Sequence, residues 1–270
     1  MTQTISAAAN PALANQLLNQ ATQELDVPEI DPTIIPPSDT TVELPGGYIT
    51  ATGEVIRTAE VRELNGRDEE AIARATNTAK AFLILLQRGT VRIGDMAVTD
   101  KILDEMLSGD RDTLLLGILK NTFGSTVEVG SYCSGCNDVK TVAIDVDADI
   151  KIKVLTDPVN DRVFTVNGKS GEITVQLPTG VTQKELINNA DKSAAELNTI
   201  LLENTVTKIN GNPVYSKAQV QNLSITDRKK VIDQINKRIP GPQFEDVTIS
   251  CPDCESEVTV ALNLGTLFQL

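Results

Sequence analysis

The feature that most constrains this chain is an internal repeat. Laying residues 59–150 over residues 173–264 aligns Phe82 to Leu86, Val91, Val98, Leu107, Asp110-Arg111, Leu114, Leu115, Ile118, Gly124, Cys133 and Cys136 with a second series in the same order. That second series is Leu197 to Leu201, Val206, Val214, Leu223, Asp227-Arg228, Val231, Ile232, Ile235, Gly241, Cys251 and Cys254. The offset drifts only from 115 (Phe82 to Leu197) to 118 (Cys133 to Cys251), which single-residue loop insertions explain. Self-similarity at one long offset points to duplicated structural units. Apolar residues alone can align by accident, whereas the paired Asp-Arg, Gly and Cys-x-x-Cys positions make accident a poor explanation.

Each unit has a readable plan. A short strand comes first, Glu60 to Leu64 and Ile173 to Leu177. The apolar spacing then predicts one long helix, from about Asp68 to Leu86 in the first unit. Its counterpart starts at a capping box of Thr182 with Glu185 and continues through Leu186, Ile187, Ala190, Ala194, Leu197 and Leu201. A connector, a small helix and a further helix follow. The further helix begins near Ser108 and ends at Gly124 in the first unit; in the second it begins at Ser224 with Asp227 and is stopped by Pro240-Gly241. Last comes a β-hairpin, since apolar residues alternate on both sides of each cysteine pair: Val127 and Val129, then Val142, Ile144 and Val146; Val247 and Ile249, then Val258, Val260 and Leu262. The predicted class is therefore α+β, with two tandem repeats over residues 46–155 and 156–270. The repeated Asp110-Arg111 and Asp227-Arg228, at matching helix starts, are expected to serve in capping and ion pairing.

Residues 1–45 differ in kind. Asn10-Pro11 suits a helix start and Leu13, Leu17, Ala21 and Leu25 form one narrow stripe, followed by four prolines between Val27 and Pro37 that forbid helix. Such a segment is either a flexible tail or an extended arm that docks on neighbouring subunits; the arm is the sharper expectation.

The four cysteines form two Cys-x-x-Cys turns at hairpin tips, and each turn presents two thiolates, half of a tetrahedral zinc site. There is no histidine in the chain. A closed shell then needs both pairs, so Cys133, Cys136, Cys251 and Cys254 are expected to converge on one structural zinc ion across the 114 intervening residues, as a zinc ribbon made from duplicated halves. Other arrangements remain open at this level: a metal shared between chains, iron in place of zinc, or disulfide and redox pairs. The last fit less well, because redox pairs sit where a strand enters a helix, and a disulfide within Cys-x-x-Cys closes a strained loop.

The absent histidine removes Ser-His-Asp and Cys-His catalysis and the commonest general base. No phosphate-binding glycine loop is present, and Asp145 to Asp149 lacks the glycine and distal glutamate of a calcium loop. A closed four-sulfur shell has no open position for substrate. No enzymatic activity is expected. The net charge of −13 makes the average surface repel phosphate backbones and anionic lipid heads, so the expected partners are proteins, with no nucleic acid and no membrane. No apolar run is long enough to cross a bilayer and the first ten residues do not read as a secretory signal, which places folding in a reducing cytoplasm.

The motif order Leu44-Pro-Gly-Gly-Tyr48, Glu60-Val-Arg-Glu-Leu64 with an acidic helix start, Gly109-Asp-Arg111, Phe123-Gly124 and Cys133-x-x-Cys136 resembles the baseplate hub subunit and tail assembly chaperone family of T-even-like contractile-tailed bacteriophages. The likeness covers about residues 43–150, and residues 165–270 look like a weaker copy with their own Cys-Pro-Asp-Cys knuckle. It implies a structural part in a tail baseplate, other tail or baseplate proteins as partners, a place in the virion after assembly in the host cytoplasm, and no enzyme activity. Two alternatives follow: a chaperone that leaves before the virion matures, and, from another class, a zinc-ribbon transcription regulator. Cys133-Ser-Gly-Cys136 departs from the family pattern in lacking a proline after its first cysteine, and Leu119 to Phe123 lacks the arginine expected before the aromatic-glycine pair.

Overall fold

The computed structural model describes residues 40–269, a mixture of helices and antiparallel strands. The helix and the proline-rich part of the arm expected before residue 40 lie outside the described residues. Residues 41–45, grouped with the arm from sequence, are the first half of strand β1 (Thr41–Ile49), which pairs antiparallel with β2 (Val55–Val61).

Helices α1 (Gly66–Ala73) and α2 (Thr78–Gly89) follow. The sequence reading expects one helix here, but the side chain of Asn77 accepts the backbone N–H of Lys80 and starts a second. An uncapped backbone N–H at a helix start costs about 1 kcal/mol, and a polar side chain placed to meet it makes a break cheap. The connector predicted next is a small hairpin, β3 (Thr90–Ile93) and β4 (Met96–Ala97), turning at Gly94 with φ +54°. Then come α3 (Asp100–Glu105), α4 (Ser108–Phe123), the long hairpin β5 (Thr126–Cys133) and β6 (Asp138–Asp145), a short α5 (Val146–Asp149) and β7 (Lys151–Lys153).

The rest of the chain runs through β8 (Val163–Gly168), β9 (Gly171–Gln176), α6 (Gly180–Asn188) and α7 (Ala194–Thr205). Here too the expected single helix is divided. Ser193 and Glu196 form a reciprocal capping box that begins α7, and α6 is capped by Thr179 with Thr182, three residues earlier than the Thr182-Glu185 box read from sequence. The hairpin β10 (Val206–Ile209) and β11 (Asn212–Pro213) turns on Asn210-Gly211, both at positive φ, the Asn-Gly signal of a tight turn. Helices α8 (Lys217–Gln221) and α9 (Ile225–Arg238), strand β12 (Gly241–Gln243), hairpin β13 (Val247–Ser250) and β14 (Glu257–Val260), and α10 (Leu264–Phe268) complete the described chain. The two four-stranded sheets have orders β1-β2-β3-β4 and β11-β10-β9-β8.

Among the described residues three apolar cores result. One fills the space under β1 to β3 with Leu85, Leu86, Ile93, Leu114 and Ile118; a second does the same under β8 to β10 with Ile173, Val175, Leu202, Val231 and Ile235. The third lies between the cysteine hairpins and includes Val142, Ile144, Val258 and Val260. Burying each such side chain contributes about 1.5–3 kcal/mol. The cores exchange members: Leu107, ahead of α4, is buried in the second core, while Phe268 of α10 meets Phe82 edge to face at 5.7 Å beside the first. Backbone bonds reinforce the exchange, with Ser108 N–H donating to Pro178 O at 3.0 Å and Gly180 N–H to Met106 O at 2.9 Å.

The repeated Asp-Arg pairs are explained by backbone contacts more than by ion pairing. Arg111 donates to Leu103 O at 2.9 Å and Arg228 to Val220 O at 3.1 Å, each tying its helix to the last turn of the short helix before it. Asp110 accepts the N–H of Gly46 at 2.6 Å, and Asp227 accepts those of Lys169 and Ser170 at 2.7 and 2.9 Å.

Candidate metal centre

The long hairpin β5–β6 ends in the turn Cys133 to Cys136, and β13–β14 ends in Cys251 to Cys254. In both, alternation buries one face: Val127, Val129, Val142 and Ile144 from the first hairpin meet Val258 and Val260 from the second. That shared face carries the two tips to the same place. Ser131 Oγ donates to Thr259 O at 2.9 Å across the junction, fixing the hairpins along their length.

All four sulfur atoms lie within 4.8 Å of one another. Cys133 Sγ is 3.6 Å from Cys254 Sγ, and Cys136 Sγ is 3.6 Å from Cys251 Sγ. The close pairs thus cross between knuckles, the first cysteine of each facing the second of the other. A sulfur–sulfur bond needs about 2.05 Å, and the four cysteines are free thiols. A tetrahedron with metal–sulfur distances of about 2.3 Å has edges of about 3.8 Å, close to the two cross-knuckle separations. The donor set therefore suits a tetrahedral thiophilic ion, and no other residue is needed to complete it.

The local backbone is bent to serve this convergence. Asn137 and Glu255, each directly after the second cysteine of its knuckle, adopt left-handed φ of 57° and 60°. Asparagine tolerates that region, whereas for glutamate it costs on the order of 1 kcal/mol. Cys251 N–H donates to Ser256 O and Glu255 N–H returns to Cys251 O, closing the second knuckle at 2.8 and 2.9 Å. Lys140 then spans the knuckles, donating to Asp138 at 3.0 Å and to Asp253 at 2.7 Å. Cys133 and Cys251 are buried, Cys136 half-buried and Cys254 exposed. Four thiols this close cannot all ionise without a cation among them. Accordingly the Cys136 thiol is pushed up to about 12 by hydrogen bonds with Cys254 and Cys251, while the Ser256 hydroxyl and N–H hold Cys254 down to about 6.

The structure brings together all four residues expected from sequence. It adds three supporting ones: Lys140, Ser256 and Gly135, where a β-carbon would come within 2.2 Å of Ser256 Oγ. Gly135 carried a visible signal, a glycine between the cysteines of one knuckle. Lys140 and Ser256 carried none.

Among the described residues no helix is long and apolar enough to cross a membrane. No significant match was found among curated proteins or among solved structures. A family model described as T4 bacteriophage base plate protein matches residues 56–269, taking in both cysteine hairpins and extending well past the stretch whose motifs carry the resemblance. The chain belongs to the T4 bacteriophage base plate protein family.

Proposed function

We propose that the chain is a non-enzymatic structural component of the phage tail baseplate, acting through contacts with other baseplate and tail proteins. The family match over residues 56–269 carries this reading. In this reading the protein is assembled in the host cytoplasm and stays in the virion, and its architecture is a pair of tandem units, residues 46–155 and 156–270. The matched orders of the two four-stranded sheets support the duplication.

One zinc ion bound by Cys133, Cys136, Cys251 and Cys254 would cross-link the two units; the sulfur positions support it. Zinc supplies four strong, undirected bonds between segments far apart in sequence, so binding energy becomes folding energy for the junction. The chain's own residues do the rest: the valine faces align the hairpins, Gly135 allows the tips to meet and Lys140 neutralises the acids around them. Residues 1–39, the expected arm of residues 1–45 less the part that leads into and forms β1, are proposed to contact neighbouring subunits.

Quantitative mass spectrometry of purified tails tests the role. A virion component is present in a fixed ratio to other baseplate proteins; presence in assembly intermediates with absence from finished tails would establish the departing chaperone instead.

A further inference from the structure

The charge balance over the whole chain is 24 basic against 37 acidic residues, so an average cation has carboxylates to spare. One cleft breaks that rule. It has a volume of about 390 Å³, lies between β7 with the segment after it and the C-terminal end of α9, and is lined by Lys153, Lys237, Arg238, Gln234 and the exposed Val154. Among the described residues none of these three cations is in an ion pair with a carboxylate. Lys153 donates to the Lys237 carbonyl, and Arg238 lies over the Phe164 ring with its guanidinium carbon 4.7 Å from the centroid. Burial and the neighbouring Arg238 both lower the Lys153 pKa, the state of a cation held near another without a counter-charge. The lining holds three cations and a single acid, Asp161, which accepts the Asp157 N–H at 2.9 Å, so the cleft has a net positive charge.

The surroundings are those of a peptide site more than of a bare-anion site. Strand β7 is paired with β12 on one side, and among the described residues no strand occupies its other edge. Ile152 and Val154 beside the cations are exposed. An extended segment can bond to a free strand edge through its backbone while alternate side chains enter pockets.

We propose that this cleft is the docking site for an acidic, partly apolar segment of another baseplate protein, whose carboxylates meet Lys153, Lys237 and Arg238 and whose apolar side chains cover Ile152 and Val154. The proposal rests on the baseplate reading for the kind of partner, and on the cleft for the chemistry. Paired with desolvated carboxylates, such cations gain much more than at an open surface, and the attraction weakens with salt.

The test uses the full chain and a fluorescein-labelled eight-residue peptide of alternating Asp and Leu, followed by fluorescence anisotropy. The expected result is saturable binding that weakens at least tenfold in the double variant Lys153→Gln/Lys237→Gln. Lys192→Gln, a lysine lost elsewhere on the surface, should leave it unchanged, and a Lys-Leu peptide should not bind. Equal binding by wild type and the double variant overturns the proposal. So does full displacement by millimolar inorganic phosphate with no contribution from the leucines, tested with an Asp-Ser peptide, because the cleft is then a small-anion site. The two readings separate cleanly: incorporation into tails with no peptide binding sinks the cleft alone, while peptide binding without incorporation sinks the baseplate role alone.

Discussion

Gly135 stands so close to Cys254 that a β-carbon on it would lie 2.7 Å from the partner sulfur, and 2.2 Å from Ser256 Oγ. The two knuckles therefore meet only because one of them has no side chain at its tip. Gly135→Ala should separate them by several tenths of an ångström, destabilise the junction by about 1–3 kcal/mol as overpacking does, and weaken metal binding at least tenfold in a chelator competition assay. Ser256→Ala in the same chain removes the nearest obstructing atom and should recover part of the loss. Unchanged affinity in Gly135→Ala would mean that the knuckles are not held this closely.

The crossed sulfur pairs, each at 3.6 Å, also predict how the ligands fail. If one ion is shared, Cys133→Ser and Cys251→Ser each remove most of the bound zinc, and the double variant is little worse than either, because residues acting as one unit are not additive. Metal analysis of the purified chains should find about one zinc per wild-type chain. Extraction with a strong chelator should lower the melting temperature, since an ion bound only to the folded state stabilises it by mass action. Two independent half-losses in the single variants would point to separate sites.

Gly109 is the most constrained glycine among the described residues. A β-carbon there would lie 1.6 Å from the Pro240 carbonyl oxygen and 2.6 Å from its carbon. Backbone faces backbone, so no side chain can turn aside. Gly109→Ala should cost more than about 4 kcal/mol or prevent folding, in the range reserved for strong core disruption. Gly66, first in α1, has nothing within 4 Å of its would-be β-carbon; Gly66→Ala should stabilise by about 0.4–1 kcal/mol through the unfolded chain. Paired denaturant titrations measure both.

Much of this arrangement was legible in the sequence, and for identifiable reasons. The cysteine hairpins were readable because alternation of apolar residues is a local signal and because a chain without histidine leaves four thiols as the natural ligand set. The helix starting at Ser224 was readable from its cap, and the Ser224 side chain does accept the Asp227 N–H at 3.1 Å. What escaped depended on competition. Over 68–86 and 182–201 the apolar spacing continues across breaks that Asn77 and Ser193 create by capping, and spacing alone cannot weigh a cap against a continued turn. The strands β7 and β12 escaped because their pairing is set by tertiary contacts: β12 pairs with β7 from residues almost ninety positions away, as Gly241 opposite Lys153 illustrates. Ion pairing was the natural reading of Asp110-Arg111; Arg111 does stand 3.9 Å from an Asp104 carboxylate oxygen, but the shorter bonds of both side chains go to backbone groups, Gly46 N–H and Leu103 O.

Asp110 and Asp227 occupy matching places in α4 and α9 but should respond to pH in opposite directions. Asp110 is fully buried, one of its oxygens lacks a hydrogen bond, and burial pushes its pKa up to about 6 despite the Gly46 N–H and Arg162. A carboxyl with a folded pKa raised from an unfolded value near 4 destabilises the fold fully above about pH 6, and this cost vanishes as pH falls below about 4. Asp227 is held down to about 2 by the N–H groups of Lys169 and Ser170 and the Ser170 hydroxyl. Its contribution is complete above about pH 4 and is lost as pH falls towards 2. Comparing each protein with its own asparagine variant cancels the titration of the thiols, which all three share. Relative to Asp110→Asn, the wild type should gain up to about 3 kcal/mol between pH 7 and pH 4, because each tenfold change in proton affinity between the folded and unfolded chain is worth about 1.4 kcal/mol. Relative to Asp227→Asn it should lose stability between pH 4 and pH 2, measured by urea unfolding at each pH. A flat difference for Asp110→Asn would mean that water reaches the carboxylate and that the contact between α4 and Gly46 of β1 is open in solution.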